Sequence, residues 1–471
     1  MLRGKQNIIF DTGSFRDPAG SVFYFRDEVY RELSKTAENN FRKLMSTGTY
    51  DCLLEAGVLN PAELVLSDKT KNLFGICSNA VLKHKKIDHI SYAYEWPFRM
   101  LKKAALAHLD THLLCLENNF TIVDGNSFNI QFDGVEPKFI DTPSIIPYEP
   151  GTPWLGYAQF CEQFLAPLLM SSDLGVPYHH WLRGAPNGMS LDDFSKLLPW
   201  RKYFNFNRFI HIILHNRMQK RFASSAEDIK KEKIIFKEMK KGSLINFIKS
   251  IRNLVLSLET SPKQKTEWED YESLCHYSDV DRHKKDGFVK NFVVESKPKC
   301  LWDLGCNSGE YAELAIKSGT TSVIGFDVDL GALDLAVKRA SLKSLKFLPL
   351  YSDALNPSPN QGWAERERKG IQERSSADAV IALAIIHHLV ISGGVPLNEV
   401  VRWLVERAPT GVIEFVSKKD PMVKKLLFSR LDHFEDYNET AFEKYLSHHA
   451  KVVDKMTIYG GKRVLFRFER Q

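Results

Sequence analysis

The hydrophobic pattern changes along the chain. From residue 300 onward, short apolar runs alternate with segments whose apolar residues recur every three or four positions. Such runs predict buried strands, and the wider spacing predicts amphipathic helices. Five parallel strands are predicted from CLWDLG, SVIGFD, LKFLPLYSD, ADAVIALAI and GVIEFV, with helices between them. AKVVDKMTIYGG and KRVLFRFER predict a final antiparallel hairpin that turns at Gly460 and Gly461. The C-terminal part is therefore predicted to be α/β.

The first 260 residues have a less regular pattern, which predicts an α+β region followed by a mainly helical one. Residues 8–30 predict a strand pair around the turn DPAG, and ISYAYEW predicts a strand. A helix is predicted over 97–118, with Pro97 at its start, and FNIQF and KFID predict a β-hairpin. In the helical stretch 150–260, Ser190 is predicted to cap a short helix.

A polar stretch containing proline after Ser261 predicts a domain boundary near 262. The expected organisation is an α+β region over 1–150, a helical region over 151–262 that completes the N-terminal domain, and a catalytic domain over 263–471. An amphipathic helix at about 279–294 leads into the catalytic domain.

Composition narrows the class of protein. The chain has 471 residues, 44% hydrophobic and 26% charged, which is typical of a globular protein. A formal charge of +6 is too small to demand a nucleic-acid partner. The seven cysteines are scattered with no CxxC pair, so reduced thiols and a cytoplasmic location are expected, with no metal site. No apolar run is long enough to cross a membrane.

The stretch CLWDLGCNSGEY, residues 300–311, carries the first chemical signal. It predicts a strand, a glycine-bearing turn and the start of a helix. Glycine lets the backbone approach a ligand, and a helix N-terminus offers unpaired N–H groups. By itself this arrangement predicts a nucleotide-binding crevice.

Residues 300–470 resemble the class I S-adenosylmethionine (SAM) methyltransferases, which have this order of seven strands. Within that superfamily nearly the whole chain resembles the bacterial nodulation-protein-like methyltransferases. The closer resemblance rests on FRDPAG, YEWPF, NIQF, FIDTPS, DLGCNSGEY and EFVSKKDPMVKKLL. It implies a Rossmann-like sheet and SAM as the cofactor. An NAD-binding Rossmann domain is the alternative, but the loop lacks the full GxGxxG motif.

The resemblance also implies which residues hold SAM. Asp303 would face its amino group, Gly305 and Gly309 would let the loop pass beneath its methionine part, and Asp327 would accept from the ribose hydroxyls. Asp353 would accept from the adenine amino group while Ala354 donates its N–H. The remaining expected cofactor residues are Cys306, Asn307, Val328 and Leu383 beside the cofactor, with Tyr277 and Lys285 closing over it.

The fourth strand carries the signal for the acceptor. It ends in LAIIHHL without a [DN]PP[YF] segment, which disfavours methylation of an adenine or glutamine amino group. His388, or His387, is a candidate base because a neutral histidine can accept a proton from a hydroxyl or amine. Either histidine also has a packing role as its alternative. Glu414 on the fifth strand either steers a polar acceptor or is buried and paired.

Residues 120–145 resemble the catalytic segment of protein and aminoglycoside kinases. Asp124 is followed five residues later by Asn129, and a hairpin leads to Asp141. The resemblance implies an acceptor-side Asp and two Mg²⁺ ligands. However, the expected upstream His and the Gly after the last Asp are missing, so a plain hairpin is the alternative. Lys83 or Lys85 would be the strand lysine.

The predicted function is transfer of a methyl group from SAM to an unidentified acceptor, a hydroxyl or amine of a small molecule, glycan or protein. One alternative is a bifunctional or regulatory protein whose kinase-like N-terminal domain binds a nucleotide. Another is a SAM-binding protein without turnover. His211 and His215 have the spacing of metal ligands on a helix, but no third ligand accompanies them. The oligomeric state is left open.

Overall fold

The residues cluster into two units, each made of three stretches of the chain. The computed structural model describes residues 8–65, 80–198, 239–260, 279–374, 376–428 and 432–470. The N-terminal unit comprises 1–94, 98–263 and 360–369. The C-terminal unit comprises 95–97, 264–359 and 370–471.

An antiparallel sheet of five strands begins the N-terminal unit. Its strands are β1 (Ile9–Phe10), β2 (Val22–Phe25), β3 (Glu28–Glu32), β4 (Ala62–Val65) and β5 (Val81–His84). They pair in the order β1-β2-β3-β5-β4. The sequence VFYF alternates in burial, so Phe23 and Phe25 join Tyr30 and Val81 in a small core. The predicted strand pair around DPAG is confirmed by β1 and β2.

Helices and short hairpins follow the sheet. They are α1 (Lys35–Ser46), α2 (Thr49–Glu55), α3 (Phe98–Glu117), β6 (Phe120–Ile122), β7 (Ile130–Asp133), β8 (Glu136–Phe139) and β9 (Ile145–Pro147). The predicted helix at 97–118 and the β7–β8 hairpin are confirmed. The predicted strand ISYAYEW is wrong, because Ala93–Glu95 forms a 3₁₀ turn and no residue of 90–96 pairs in a sheet. Its aromatic residues are buried by packing rather than by strand alternation.

The middle of the chain is helical where it is described. Its α-helices are α4 (Tyr157–Phe160), α5 (Ala166–Leu169), α6 (His179–Gly184), α7 (Leu191–Leu197) and α8 (Lys241–Ser257), with π-helical turns at Cys161–Leu165 and Met170–Leu174. Ser190 caps α7 by accepting from Asp193 N, as predicted. Helix α8 packs on α3, where Arg252 pairs with Asp110. The histidine pair at 211 and 215 lies outside the described residues.

The C-terminal unit is built on a seven-stranded sheet. Its strands are β10 (Cys300–Leu304), β11 (Ser322–Asp327), β12 (Phe347–Tyr351), β13 (Ala379–Ala382), β14 (Thr410–Val416), β15 (Ala450–Ile458) and β16 (Arg463–Arg470). The order is β12-β11-β10-β13-β14-β16-β15. Strands β10 to β14 are parallel, and β16 pairs antiparallel with both β14 and β15. The seven predicted strands and the antiparallel edge are confirmed.

Helices connect these strands. They are α9 (Asp279–Ser296), α10 (Glu310–Lys317), α11 (Leu330–Leu342), α12 (Ile371–Arg374), α13 (Leu397–Glu406), α14 (Pro421–Phe428) and α15 (Glu439–His449). The chain steps from β10 through β11 to β12 in one direction and from β13 to β14 in the other. Loops that leave β10 and β13 therefore diverge, which opens a crevice at the carboxyl edge of the sheet.

Helix length and polarity do not suit a membrane span in any helix of the described ranges.

Candidate active site

The loop after β10 is fixed by backbone hydrogen bonds to β11. Gly305 N and Cys306 N both donate to Phe326 O, at 2.8 and 3.1 Å. Gly305 and Gly309 have φ of +79° and +80°, in the left-handed region that glycine adopts at little cost. Gly309 then starts α10. The glycines of the predicted loop are thus required by its backbone conformation.

The same loop packs tightly onto its neighbours. A Cβ on Gly309 would collide with the ring of Phe347. A Cβ on Gly325 would lie 2.7 Å from Cys306 Sγ and 2.7 Å from Phe347 Cε2. The absence of a side chain at Gly325 leaves room for the small, buried side chain of Cys306. Burial raises the pKa of the Cys306 thiol. The thiol is therefore protonated and packed, which fits a loop residue rather than a nucleophile.

Asp303 is a buried carboxylate near the end of β10. It is 2% exposed, and its Oδ2 has no hydrogen-bond partner among the described residues. Burial, and then the nearby charge of Asp327, raise the pKa of Asp303 to about 8, against the opposing effect of Lys285. A buried acceptor without a donor is costly, so this oxygen is suited to a ligand that donates.

Asp327 ends β11 and organises the turn that follows. Its Oδ2 accepts from Asn307 N at 2.7 Å, and its Oδ1 accepts from Asp329 N at 2.9 Å. Burial raises the pKa of Asp327, although these backbone donors oppose the rise. An ionised carboxylate has about four acceptor sites, so each oxygen can still accept from a ligand.

Asp353 lies just past β12, at the same edge of the sheet. Its Oδ1 accepts from Leu355 N at 2.9 Å, and its backbone bridges to Asn356. Asp303, Asp327 and Asp353 thus lie at or just past the carboxyl ends of three neighbouring parallel strands. This convergence is the one that the β/α alternation predicts.

A cavity of about 740 Å³ opens at this edge. A volume of this size is typical of small-molecule sites. The predicted residues that line it are Asp303, Gly305, Cys306, Asn307, Asp327, Val328, Asp353, Ala354, Leu383, Lys285 and His388. Gly309, His387 and Glu414 do not line it. Tyr277 lies outside the described residues.

Glu414 is buried and paired, which is one of its two predicted roles. Its Oε2 is 2.8 Å from Lys285 Nζ, and its Oε1 is 3.4 Å from Arg463 Nη1. Arg463 Nε reaches Asp420 Oδ2 at 2.9 Å. Burial raises the pKa of Glu414, but Lys285 and Arg463 outweigh it and hold the pKa below its usual value. Glu414 therefore positions Lys285 and Arg463, both of which line the cavity.

The two histidines after β13 differ in exposure to the cavity. His388 lines it, and burial lowers the pKa of His388 to about 4. His387 is 0% exposed, and neither of its ring nitrogens has a partner within the described ranges. Burial lowers the pKa of His387 well below its usual value. Both imidazoles are thus neutral at pH 7, and only His388 can face a ligand.

Several residues that line the cavity were not predicted, and four of them carry polar side chains near the glycine loop or on the terminal hairpin and α9. Arg463 and Tyr459 come from the terminal hairpin, Tyr311 follows the glycine loop, and Arg282 lies on α9; all four line the cavity. Lys285 Nζ lies 5.1 Å from the centroid of the Tyr311 ring. Tyr311 adjoins the loop in sequence, so it was within reach of the motif. The role of Arg463 could not be predicted from the sequence. The alternation of apolar and polar residues in a strand does not show that a charged residue has buried acidic partners.

The N-terminal unit brings together the residues of the kinase-like segment. Asp141 Oδ1 is 2.5 Å from Arg31 Nη1, and Arg31 also pairs with Asp17. Burial raises the pKa of Asp124; the Asn129 amide opposes the rise and Asp141 adds to it. The predicted lysines are elsewhere. Lys83 pairs with Glu28 and Lys85 with Asp133, so the cation beside Asp141 is an arginine of β3.

Comparison with known proteins identifies the family. The chain is 41% identical over 466 residues to nodulation protein NoeA of Rhizobium meliloti (strain 1021). The match covers 97% of this chain and 95% of that protein. The chain belongs to the NoeA family. Because the match spans both units, the NoeA family shares the N-terminal unit as well as the C-terminal sheet. No family model matches the chain.

Solved structures resemble part of the chain. The N-methyltransferase NodS from Bradyrhizobium japonicum WM9 has a TM-score of 0.31 and 12% identity, covering 41% of this chain and 98% of that one. The PH0226 protein from Pyrococcus horikoshii OT3 has a TM-score of 0.32 and 16% identity, covering 44% and 99%. Magnesium protoporphyrin IX methyltransferase from Synechocystis PCC 6803, solved with S-adenosylhomocysteine (SAH), has a TM-score of 0.29 and 16% identity, covering 41% and 84%.

The strand order of the C-terminal unit is the one predicted from the resemblance to class I methyltransferases. The C-terminal unit of this NoeA-family chain therefore has the predicted seven-stranded α/β architecture.

Proposed function

We propose that the C-terminal unit transfers a methyl group from SAM to a hydroxyl or amine of an acceptor. The observation that carries the proposal is the convergence of Asp303, Asp327 and Asp353 on one cavity at the carboxyl edge of the sheet. A dinucleotide or a simple phosphate ligand would not call for three carboxylates, whereas SAM presents an ammonium, ribose hydroxyls and an adenine amino group as donors.

The residues present fit this cofactor. The unpartnered Oδ2 of Asp303 suits the amino group. Asp327, fixed by Asn307 N and Asp329 N, would accept from the ribose hydroxyls with its remaining lone pairs. Asp353 and Ala354 would hold the adenine. Gly305 keeps the loop backbone free of a side chain beneath the methionine part.

The chain's own contribution to the reaction is orientation and proton handling. SAM, when bound, supplies an activated methyl group on a sulfonium. The protein aligns the acceptor, and alignment alone contributes much of such a rate enhancement. His388, which lines the cavity as a neutral imidazole, would accept the acceptor's proton. Lys285 and Arg463, held by Glu414, would supply positive charge in the same cavity.

Calorimetry with SAM and SAH tests cofactor binding. Asp303→Ala and Asp327→Ala are each expected to weaken binding at least tenfold, since each removes a charged hydrogen-bond partner. Asp454→Ala, at an exposed position on the edge strand β15, is the matched control and should leave binding unchanged. Absence of saturable binding up to about 1 mM would reject the proposal.

Turnover is a separate question from binding. Extracts of cells with and without the protein can be compared for metabolites that differ by the mass of one methylene group. With an acceptor in hand, His388→Asn is expected to lower kcat by about 10²-fold or more if the imidazole takes the proton. An unchanged kcat would remove the assigned base. Tight SAM binding with no methylated product from any extract favours a binding protein without turnover.

A second candidate function is nucleotide binding by the N-terminal unit. It is favoured by the interactions of Asp124 with Asn129 and Asp141, and by the ion pair of Asp141 with Arg31 on the third strand of the five-stranded sheet. Calorimetry with ATP and Mg²⁺ tests it. Binding that Asp141→Ala abolishes, and that Asp133→Ala at the surface does not, supports this function; no binding removes it.

A further inference from the structure

The cavity of the C-terminal unit reaches both faces of strand β10. Trp302 and Asp303 are consecutive residues of this strand, and both line the cavity. Successive side chains of a strand point to opposite faces of the sheet. Asp303 shares its face with Gly325, which packs against the Cys306 loop and Phe347. The side chain of Trp302 therefore points to the face opposite that of Asp303, and the part of the cavity lined by Trp302, Trp403 and Arg407 is called the second lobe.

This second lobe follows from a short crossover connection. A parallel crossover usually covers the sheet with a helix. Between β12 and β13, the longest helix in the described residues is α12, with only four residues. The short α12 provides little helical cover for the sheet within the C-terminal unit, and Trp403 of α13 and the following Arg407 line the cavity.

The lobe is elongated. Strand β13 ends at the carboxyl edge of the sheet and β14 begins at the amino edge, so α13 runs back along the face between them. A ten-residue helix is about 15 Å long. Arg407 follows the end of α13, three residues before β14. The cavity wall thus extends from the glycine loop along the sheet toward Arg407.

The lining of this lobe combines aromatic surface with one unpartnered donor and one weakly paired cation. Trp302 is 3% exposed, and its Nε1 donates to no acceptor in the described part of the chain. The side chain of Arg407 is 14% exposed, and its ion pair with the exposed Glu406 is long, at 3.8 Å. Arg407 Nε donates to Trp403 O at 3.1 Å. Buried donors of this kind are suited to a ligand that carries an acceptor or a negative charge.

We propose that this lobe is a binding site for an elongated apolar carboxylate. The apolar body, a chain or a ring system, would lie along Trp302 and Trp403, and the carboxylate would bind Arg407. The site occupies a different part of the same cavity from the three carboxylates at the edge of the sheet. The proposal stands whether or not the domain transfers methyl groups.

Calorimetric titration of the full-length protein tests the site. The ligands are octanoate, octan-1-ol and, as the aromatic probe, 4-phenylbutyrate. Octanoate, 4-phenylbutyrate or both should bind with one-to-one stoichiometry, and octan-1-ol about tenfold more weakly than octanoate. Arg407→Gln should weaken carboxylate binding about tenfold and leave the alcohol within about twofold. Arg402→Gln, on the exposed side of α13, is the matched control and should change neither. Which carboxylate binds more tightly distinguishes a chain from a ring system.

Two further measurements keep the outcome clear. A parallel SAH titration separates the two ends of the cavity. Saturating octanoate should change the Kd for SAH by less than about threefold. Competitive displacement would place octanoate at the cofactor end and overturn the inference. Should Arg407→Gln fail to fold, Arg407→Lys retains the charge and should retain most of the affinity. Equal binding of octanoate and octan-1-ol by the natural chain, or no binding of either carboxylate, would also overturn it. SAH binding in those cases leaves the proposed cofactor site intact.

Discussion

Lys285 Nζ lies 2.8 Å from Glu414 Oε2, in an ion pair that is almost fully buried and joins residues 129 positions apart. The pair connects α9, which precedes the sheet, to β14 near its centre. Arg463 from the last strand contacts the same carboxylate. Buried charges are costly unless they are paired, so this cluster fixes three elements around one side of the cavity.

Glu414→Gln is expected to lower the free energy of unfolding of the C-terminal unit by about 3–5 kcal/mol, because it leaves Lys285 buried without its counter-charge. Urea unfolding, with the transition assigned by its response to SAH, measures this. Lys285→Met combined with Glu414→Leu should recover much of the loss, since an apolar pair avoids the desolvation cost.

Lys290→Met on the exposed side of α9 is the control for that comparison and should be nearly neutral. A Glu414→Gln variant as stable as the natural chain would contradict the assigned role of the pair. So would a double variant less stable than Glu414→Gln alone.

Cofactor binding is expected to release a proton near neutral pH. Asp303 has a pKa raised to about 8 in the cofactor-free protein, so it is mostly protonated at pH 7. A cationic amino group beside it favours the ionised carboxylate and lowers this pKa. SAH binding at pH 7 should therefore release up to about one proton.

Calorimetry in buffers of different ionisation enthalpy measures the released proton. The Asp303→Asn variant has no proton to release there and should show no dependence on the buffer. Heats at pH 7 that are the same in every buffer for the natural chain would show that Asp303 is ionised before the ligand arrives, or that the amino group binds elsewhere.

Burial also makes the two histidines after β13 a source of acid sensitivity. The pKa of His388 is lowered to about 4, and that of His387 lies well below its usual value. The unfolded chain binds protons at these positions below about pH 6.5 while the folded chain does not, so stability falls as pH decreases from about 6.5 toward 4. Replacing both residues with Asn should flatten this part of the stability profile.

Nuclear magnetic resonance of histidine-labelled protein checks the same point directly. The signals that disappear in His387→Asn and His388→Asn are those of the two histidines. In the natural chain these signals should remain those of neutral imidazole down to about pH 5. The exposed His433 provides a histidine with a solvent-facing environment for comparison. A midpoint near 6.5 for His388 would show that the side chain is solvated rather than buried.

The glycine loop, Asp327 and Asp353 could be predicted because the parallel β/α pattern places the ends of successive strands at one edge of the sheet. The same reasoning placed His388 correctly beside the cavity but could not separate it from His387, since adjacent residues in a turn differ in direction only through local geometry. Arg463 escaped prediction because its partners, Glu414 and Asp420, are distant in sequence. Such partnerships depend on tertiary packing, which periodicity does not report.

The N-terminal unit shows the same limit. The hairpin and the long helix α3 were predicted from turn residues and apolar spacing, whereas the strand assigned to ISYAYEW is a 3₁₀ turn. Aromatic residues favour strands but also fill cores from irregular segments, so their presence alone could not decide. The arginine that pairs with Asp141 lies on β3, 110 residues earlier in the chain, and only the folded structure brings the two together.

Two glycines of the C-terminal unit are expected to respond in opposite ways to alanine. Gly325 lies on β11, where a Cβ would be 2.7 Å from Cys306 Sγ and from Phe347 Cε2, so Gly325→Ala overpacks the core beneath the loop and should cost about 1–3 kcal/mol. Gly287 lies inside α9 with no atom within 4 Å of an added Cβ. Gly287→Ala should stabilise the helix by up to about 1 kcal/mol.

Thermal unfolding measures both changes in stability. SAH titration of Gly325→Ala adds a functional readout, because displacement of Cys306 should weaken SAH binding more than the stability loss alone accounts for. Equal melting temperatures for the two variants would mean that the contacts of Gly325 relax freely, and that the loop is not held in place by its packing against Phe347.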